Sequence, residues 1–120
     1  MSTFTKEYVA TSDQTALAMG SGDLEVLATP ALVAMMENCS KELLKSYLTS
    51  EQTSVGAAIE VKHLAPSKVE TVIKIMAEII KQTERKVLFS IQAFQQEQLI
   101  GSASHCRVVV EKATFLKKMK

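Results

Sequence analysis

Thr29-Pro30-Ala31-Leu32-Val33-Ala34-Met35-Met36-Glu37-Asn38-Cys39 is the stretch on which the fold turns. A threonine followed by proline is a helix-opening pair, an N-cap residue and then a first helical position whose missing N–H costs nothing. Leu32, Met35 or Met36, Cys39, Leu43 and Tyr47 recur at helical spacing, and Val33, Ser40 and Leu44 widen the apolar stripe past Glu37. The spacing predicts one long helix from about Pro30 to Tyr47. A helix this apolar is substantially buried, so the carboxylate of Glu37 must find partners there or change its ionisation. It is a candidate functional acid, with a structural ion pair as the plain alternative.

Downstream of residue 53 the period changes from helical to alternating. Val55, Ala57, Ile59, Val61, His63 and Ala65 form one face of a strand, and Gly56, Ala58, Glu60 and Lys62 the other. After Pro66-Ser67-Lys68, a second long strand alternates through Val69, Thr71, Ile73, Ile75, Ala77 and Ile79. A third carries Val87, Phe89, Ile91 and Ala93, and a fourth runs from Leu99 to about Glu111, with polar turns at 82–85 and 95–98. In the last strand Ile100, Cys106, Val108 and Val110 compete with Leu99, Ala103 and Val109 for the inward face. Upstream, Phe4 to Val9 reads as a short strand, Thr15 to Met19 as another or as an extended arm, and Gly20-Ser21-Gly22-Asp23 as a turn. One helix followed by long strands on short connections implies an α+β architecture, an antiparallel sheet with a single helix packed on it. A lone helix leaves parts of such a sheet uncovered, which favours oligomerisation through edge strands.

Bulk properties narrow the function. The 120 residues suit one domain, 1–120, and 47% hydrophobic with 22% charged residues describes a globular chain. A net charge of +1 supplies no field for a nucleic-acid backbone, and Lys117-Lys118-Met119-Lys120 reads as a solvated tail. Cys39 and Cys106 show no metal or disulfide spacing and read as free thiols of a reducing, cytoplasmic compartment. The N-terminal residues lack the apolar region of a secretion signal, and no run is long enough to span a membrane. The sequence contains no Walker A loop, GxGxxG, HExxH or GxSxG. His63 and His105, 42 positions apart, make a poor metal pair, so no metal ligands are assigned.

The remaining chemistry-bearing residues are few. Alternation aims His63 at the helix side of its strand, where it meets a carboxylate or is simply a core histidine. Thr29 sits where helix N–H groups favour developing negative charge, and as a cap it also has an ordinary structural role. Gly56 and Gly101 interrupt strands, the mark of a bulge or a close approach. His105 and Arg107 share one strand face, and the arginine is either an interface residue or a holder of an anionic group.

Taken in order, Leu27-Ala28-Thr29, Met36-Glu37, Gly56-Ala57-Ala58-Ile59-Glu60-Val61-Lys62-His63 and Gly101-Ser102-Ala103-Ser104-His105-Cys106-Arg107 resemble the hot-dog-fold acyl-CoA thioesterases, nearest the fluoroacetyl-CoA thioesterase group. The similarity runs from Phe4 to about Lys112. That group's active-site threonine, glutamate and histidine fall on Thr29, Glu37 and His63, at spacings of 8 and 26 residues without a gap. The resemblance implies a helix wrapped by an antiparallel sheet and a homodimer with active sites near the subunit interface. It also implies Gly56 and Arg107 as substrate-binding positions. The implied reaction is hydrolysis of an acyl-CoA to a carboxylic acid and free coenzyme A without a cofactor, Glu37 acting as general base or nucleophile. A non-catalytic hot-dog domain that binds acyl-CoA is the alternative. The family's lid over the acyl group is built from aromatic and apolar N-terminal residues. Here that region reads Ala16-Leu17-Ala18-Met19-Gly20-Ser21-Gly22-Asp23 and contains no phenylalanine, which points to a small or medium acyl group rather than to fluoroacetyl selectivity.

Overall fold

The structure, a computed structural model, describes residues 2–119; Met1 and Lys120 lie outside it. Strand β1 (Thr3–Val9) is followed by a 3-10 turn at Ser12–Gln14, the short helix α1 (Ala16–Met19) and the long helix α2 (Thr29–Lys45). Strands β2 (Gln52–His63), β3 (Val72–Gln82), β4 (Lys86–Gln95) and β5 (Gln98–Glu111) come next, and the short helix α3 (Lys112–Lys117) last. The strands form one antiparallel sheet in the order β1-β3-β4-β5-β2, so that β1 and β2 are its edges. The sheet curls around α2 in the hot-dog arrangement.

Burial follows the two periods. Helix α2 presents Ala31, Leu32, Met35, Met36, Cys39, Ser40, Leu43 and Leu44 to the sheet. Alternate residues Ile73, Ile75, Ala77 and Ile79 of β3, and Val87, Phe89, Ile91 and Ala93 of β4, meet them from the other side. Each large aliphatic side chain removed from water in this way contributes about 1.5–3 kcal/mol. The inserted hydroxyl of Ser40 donates to the Met36 carbonyl one turn back, at 2.9 Å, and so adds no orphaned polar group. Cys39 and Cys106 are both free thiols, and burial pushes the Cys39 thiol up to about 11.

Several boundaries and faces differ from the sequence-based expectations. Helix α2 stops at Lys45, and Tyr47 is exposed instead of completing the apolar stripe. Thr15 forms only a single bridge to Leu27, and the residues after it are helical instead of extended: the Thr15 hydroxyl caps α1 by accepting from the Ala18 N–H. Strand β3 begins at Val72 instead of Val69, because Glu70 takes a left-handed conformation (φ 72°) and donates its N–H to Ala10 O. In β5 the inward residues are Gly101, Ala103, His105 and Arg107. The pairing slips between Ala93 and Phe94 of β4, and this tucks Ile100 inward beside Gly101.

The decisive irregularity is in β2. Its register with β5 passes from Gly56↔Arg107 to Ala58↔Cys106 and leaves Ala57 as the extra residue of a bulge. The bulge reverses the alternation. Ala57 is exposed, while Ile59 and Val61 pack against the core on the helix side. Gly56, assigned by simple alternation to the face opposite His63, therefore faces the helix as His63 does.

Candidate functional site

Helix α2 runs alongside the edge strand β2, and two groups of side chains lie between them. At one end are Thr29, the first residue of α2, and His63, the last of β2. Thr29 was expected to cap the helix through its hydroxyl. In the structure Ala28 holds the N-cap position and no side chain caps the helix. The first-turn amides of Ala31 and Leu32 donate to Ala28 O, and Pro30 has none to offer. The Thr29 hydroxyl is thereby released from backbone duty, and it lies 2.8 Å from His63 Nδ1. His63 Nε2 is buried without a hydrogen-bond partner, and burial lowers the imidazole pKa. A buried polar atom left unpaired costs about 1–3 kcal/mol, a cost native proteins usually carry where a ligand or partner supplies the missing bond. The pair borders a cavity of about 330 Å³ with Ala16, Leu27, Pro30 and Leu64 in its walls.

At the other end Glu37 leans over Gly56. A β-carbon placed on Gly56 would lie 2.6 Å from Glu37 Oε2, 3.5 Å from His105 Cε1 and 3.7 Å from Arg107 Nη1. Glycine is required here because the carboxylate occupies the space any side chain would take. Glu37 is half-buried, and among the described residues its carboxylate forms no hydrogen bond or ion pair. The structural ion pair that would explain an acid in this helix is therefore not formed among the described residues.

The groups around it are fixed. Arg107, buried on β5, donates from Nε to Ser54 Oγ at 2.8 Å and from Nη2 to Ser54 O at 3.1 Å. Its Nη1 donates to His105 Nε2 at 3.1 Å. His105 Nδ1 lies 2.9 Å from the carbonyl of Ala58, which only accepts, so the proton is on Nδ1 and Nε2 is the acceptor. The ring is neutral, consistent with a pKa lowered first by burial and further by the Arg107 charge. Burial also pulls Arg107 down, while the nearby Glu37 charge works in the opposite direction.

Of the residues singled out in the sequence, the structure joins Thr29 with His63, and Glu37 with Gly56 and Arg107. It does not bring the two groups together within one chain. Along α2, 8 residues separate Thr29 from Glu37, about 12 Å of helix rise. Ser54 and the orienting role of His105 were missed. The parity of His105 with Arg107 was a usable signal for the second; nothing in a small polar strand residue marked the first.

A family model described as fluoroacetyl-CoA-specific thioesterase matches residues 10–113. The fluoroacetyl-CoA thioesterase of Streptantibioticus cattleyicolor is 29% identical over 96 residues, which cover 80% of this chain and 69% of that protein. A crystal structure of a fluoroacetyl-CoA-specific thioesterase point mutant in complex with fluoroacetate and CoA superposes with a TM-score of 0.91 at 26% identity, covering 97% of this chain and 95% of that one. A thioesterase-superfamily protein of Thermus thermophilus shares the fold at a TM-score of 0.89 and 23% identity, covering 98% and 87%.

Proposed function

The chain belongs to the fluoroacetyl-CoA-specific thioesterase family of thioester hydrolases, and from that premise we propose that it hydrolyses a small or medium acyl-CoA with Thr29, Glu37 and His63. The observation that carries the proposal is the free carboxylate of Glu37, held over Gly56 at the sheet's open edge beside a guanidinium that is already anchored. An acid without a structural partner, in a half-buried place, is available to take a proton from water or to attack a carbonyl itself.

The proposed site is completed by a second copy. Strand β2 is a long, unpaired edge, and antiparallel pairing with its two-fold mate buries it. With the axis beside Ile59 and Glu60, Gly56 of one protomer lies against the partner's His63. Glu37 of one chain then faces Thr29 and His63 of the other, and the bulge at Ala57 is what turns both strand positions toward the same side. His63, whose Nε2 has no hydrogen-bond partner among the described residues, stands at the end of this edge strand.

In this arrangement the acyl group enters the cavity beside Thr29 and His63. Its walls of alanine, leucine and proline suit a short apolar chain and supply no aromatic surface selective for fluorine. Water attacks the thioester carbonyl with its proton passing to Glu37, or Glu37 attacks and water cleaves the resulting anhydride. In either route the carbonyl–sulfur bond breaks, the carboxylic acid is released, and the coenzyme A thiolate takes up the proton. The Thr29 hydroxyl meets the oxyanion, and His63, kept neutral by burial, orients Thr29 and exchanges the proton. Arg107 fixes the position of the carbonyl and of Glu37 by its charge. Free-thiol release from acyl-CoAs of two to ten carbons is the test. Turnover on short chains that disappears in Glu37→Gln and His63→Ala supports the proposal; turnover on no chain length contradicts it.

A further inference from the structure

Arg107 and Glu37 carry opposite charges on either side of Gly56, yet among the described residues they form no ion pair. A β-carbon on Gly56 would lie 2.6 Å from Glu37 Oε2 and 3.7 Å from Arg107 Nη1, so the two groups flank the space that glycine leaves open. A carboxylate beside a buried guanidinium ordinarily forms a charge-assisted, two-bonded pair, roughly twice as strong as a neutral hydrogen bond. Its absence at this spacing calls for a physical cause.

The cause is in how the guanidinium is held. Its Nε–Nη2 edge, one of the two on which a guanidinium grips a carboxylate, is filled by Ser54 alone. The Ser54 hydroxyl accepts from Nε at 2.8 Å, and the Ser54 carbonyl from Nη2 at 3.1 Å. The third nitrogen, Nη1, donates to His105 Nε2 at 3.1 Å. That ring nitrogen is kept an acceptor from behind, because Nδ1 donates to the Ala58 carbonyl at 2.9 Å. Ser54, His105 and Arg107 are 7%, 2% and 6% exposed, so each of these bonds is costly to break. A planar group held at all three nitrogens cannot turn toward the carboxylate without losing one of them.

We propose that Ser54 and His105 are positioning residues that keep Arg107 from pairing directly with Glu37. This rests on the acyl-CoA reading above, in which Glu37 takes a proton from water or attacks a carbonyl. A carboxylate gripped by two N–H donors has its lone pairs engaged and its oxygens turned from the substrate. Held apart, the guanidinium still acts on the site through its charge, while both carboxylate oxygens stay open. Removing the His105 acceptor leaves a buried Nη1 unpartnered, at a cost that drives it to the next acceptor within reach. That acceptor is Glu37, the mobile end of a side chain, and the missing side chain of Gly56 leaves room for the pair to close.

The test uses His105→Leu, which removes the acceptor, His105→Gln, which returns one, and Ser54→Ala, which removes only the hydroxyl. In His105→Leu, kcat for thiol release is expected to fall about 10- to 100-fold with KM within about threefold of the parent. His105→Gln is expected to recover most of that loss, and Ser54→Ala to show a smaller loss of the same kind. Because the effect passes through Arg107, His105→Leu is expected to cost less than about twofold more in an Arg107→Gln background. A residue that only supports the fold would lower activity equally in both backgrounds. A crystal structure of His105→Leu gives a readout independent of turnover, with a direct Arg107–Glu37 ion pair expected. A Glu37 carboxylate still unpaired there, or a loss that persists undiminished in the Arg107→Gln background, overturns the proposal. If His105→Leu does not fold, Ser54→Ala carries the same two comparisons. If the parent chain releases thiol from no acyl-CoA, the thioesterase reading fails, and the variant structure alone decides whether Arg107 is restrained in this way.

Discussion

The two ends of β2 are built differently. At the Gly56 end, Ser54, His105 and Arg107 are locked by four hydrogen bonds around a carboxylate that makes none. At the His63 end, one bond joins Thr29 to the imidazole, and the other ring nitrogen is left buried and unpaired. The first end is a fixed mounting around a free acid; the second is a histidine with one of its two ring nitrogens unpartnered among the described residues. Each lacks what the other holds, and in the proposed dimer the open edge of β2 between them is the surface through which a second copy would supply it.

The comparison is broken most directly at Glu37. Glu37→Gln keeps the shape and removes the base, and kcat is expected to drop by about 10²–10⁴, read by thiol release. Full activity in that variant would return the acid to a structural role. Gly56→Ala comes next. Its methyl would sit 2.6 Å from Glu37 Oε2, the mobile end of a side chain, so the carboxylate shifts and the fold survives. A loss of about 10² in kcat with a melting temperature near that of the parent is expected, because small misplacements of a reacting group cost this much.

Gly101→Ala sharpens the contrast, since this glycine also faces α2, but although it pairs with His63 across the strands its added methyl would meet Leu32, Met36 and the Lys62 carbonyl instead of a reacting group. Its β-carbon would meet Leu32 Cδ2 at 3.0 Å and the Lys62 carbonyl at 3.2 Å. One of these contacts is backbone, so the strain falls on the fold. Denaturant unfolding should show about 1–3 kcal/mol of lost stability. If Gly101→Ala proves harmless and Gly56→Ala unfolds the chain, the assignment of the two glycines is reversed.

A smaller effect is expected with pH. Both imidazoles have pKa values lowered by burial, so the unfolded chain binds protons more readily than the folded one as pH falls below about 6.5. Their contribution to stability is full above that value and declines as pH drops toward their folded pKa values. His105→Gln should flatten part of the decline in a melting-temperature series from pH 7 to pH 5, and His63→Gln another part. Stability rising on acidification through this range would contradict both burial arguments.

Much of this was legible in the chain. Helical spacing around Glu37 and alternation after residue 53 are period-level signals, and they suffice for one helix on an antiparallel sheet. Periodicity placed Glu37 on the helix and His63 on its strand. Alternation failed wherever the strand was not regular. The extra residue Ala57 and the slip near Ile100 change sidedness without any turn residue or charge to announce them, so Gly56 was put on the wrong face and the inward face of β5 stayed unresolved. The cap at Thr29 failed for another reason: proline and the Ala28 carbonyl already settle the first turn, which frees the hydroxyl for His63. Thr15 leaves the extended pattern because its hydroxyl caps α1, and Tyr47 lies beyond the last turn of α2, which ends at Lys45.

The central claim is that Glu37 of one chain works with Thr29 and His63 of another, and subunit mixing tests it most directly. Glu37→Gln and His63→Ala homodimers, each inactive, are denatured together and refolded at equal concentration. The account predicts recovery of about a quarter of parental activity, because half of the dimers are mixed and each has one intact site. No recovery, with mixed dimers confirmed by mass spectrometry, would show that the three residues act within a single chain.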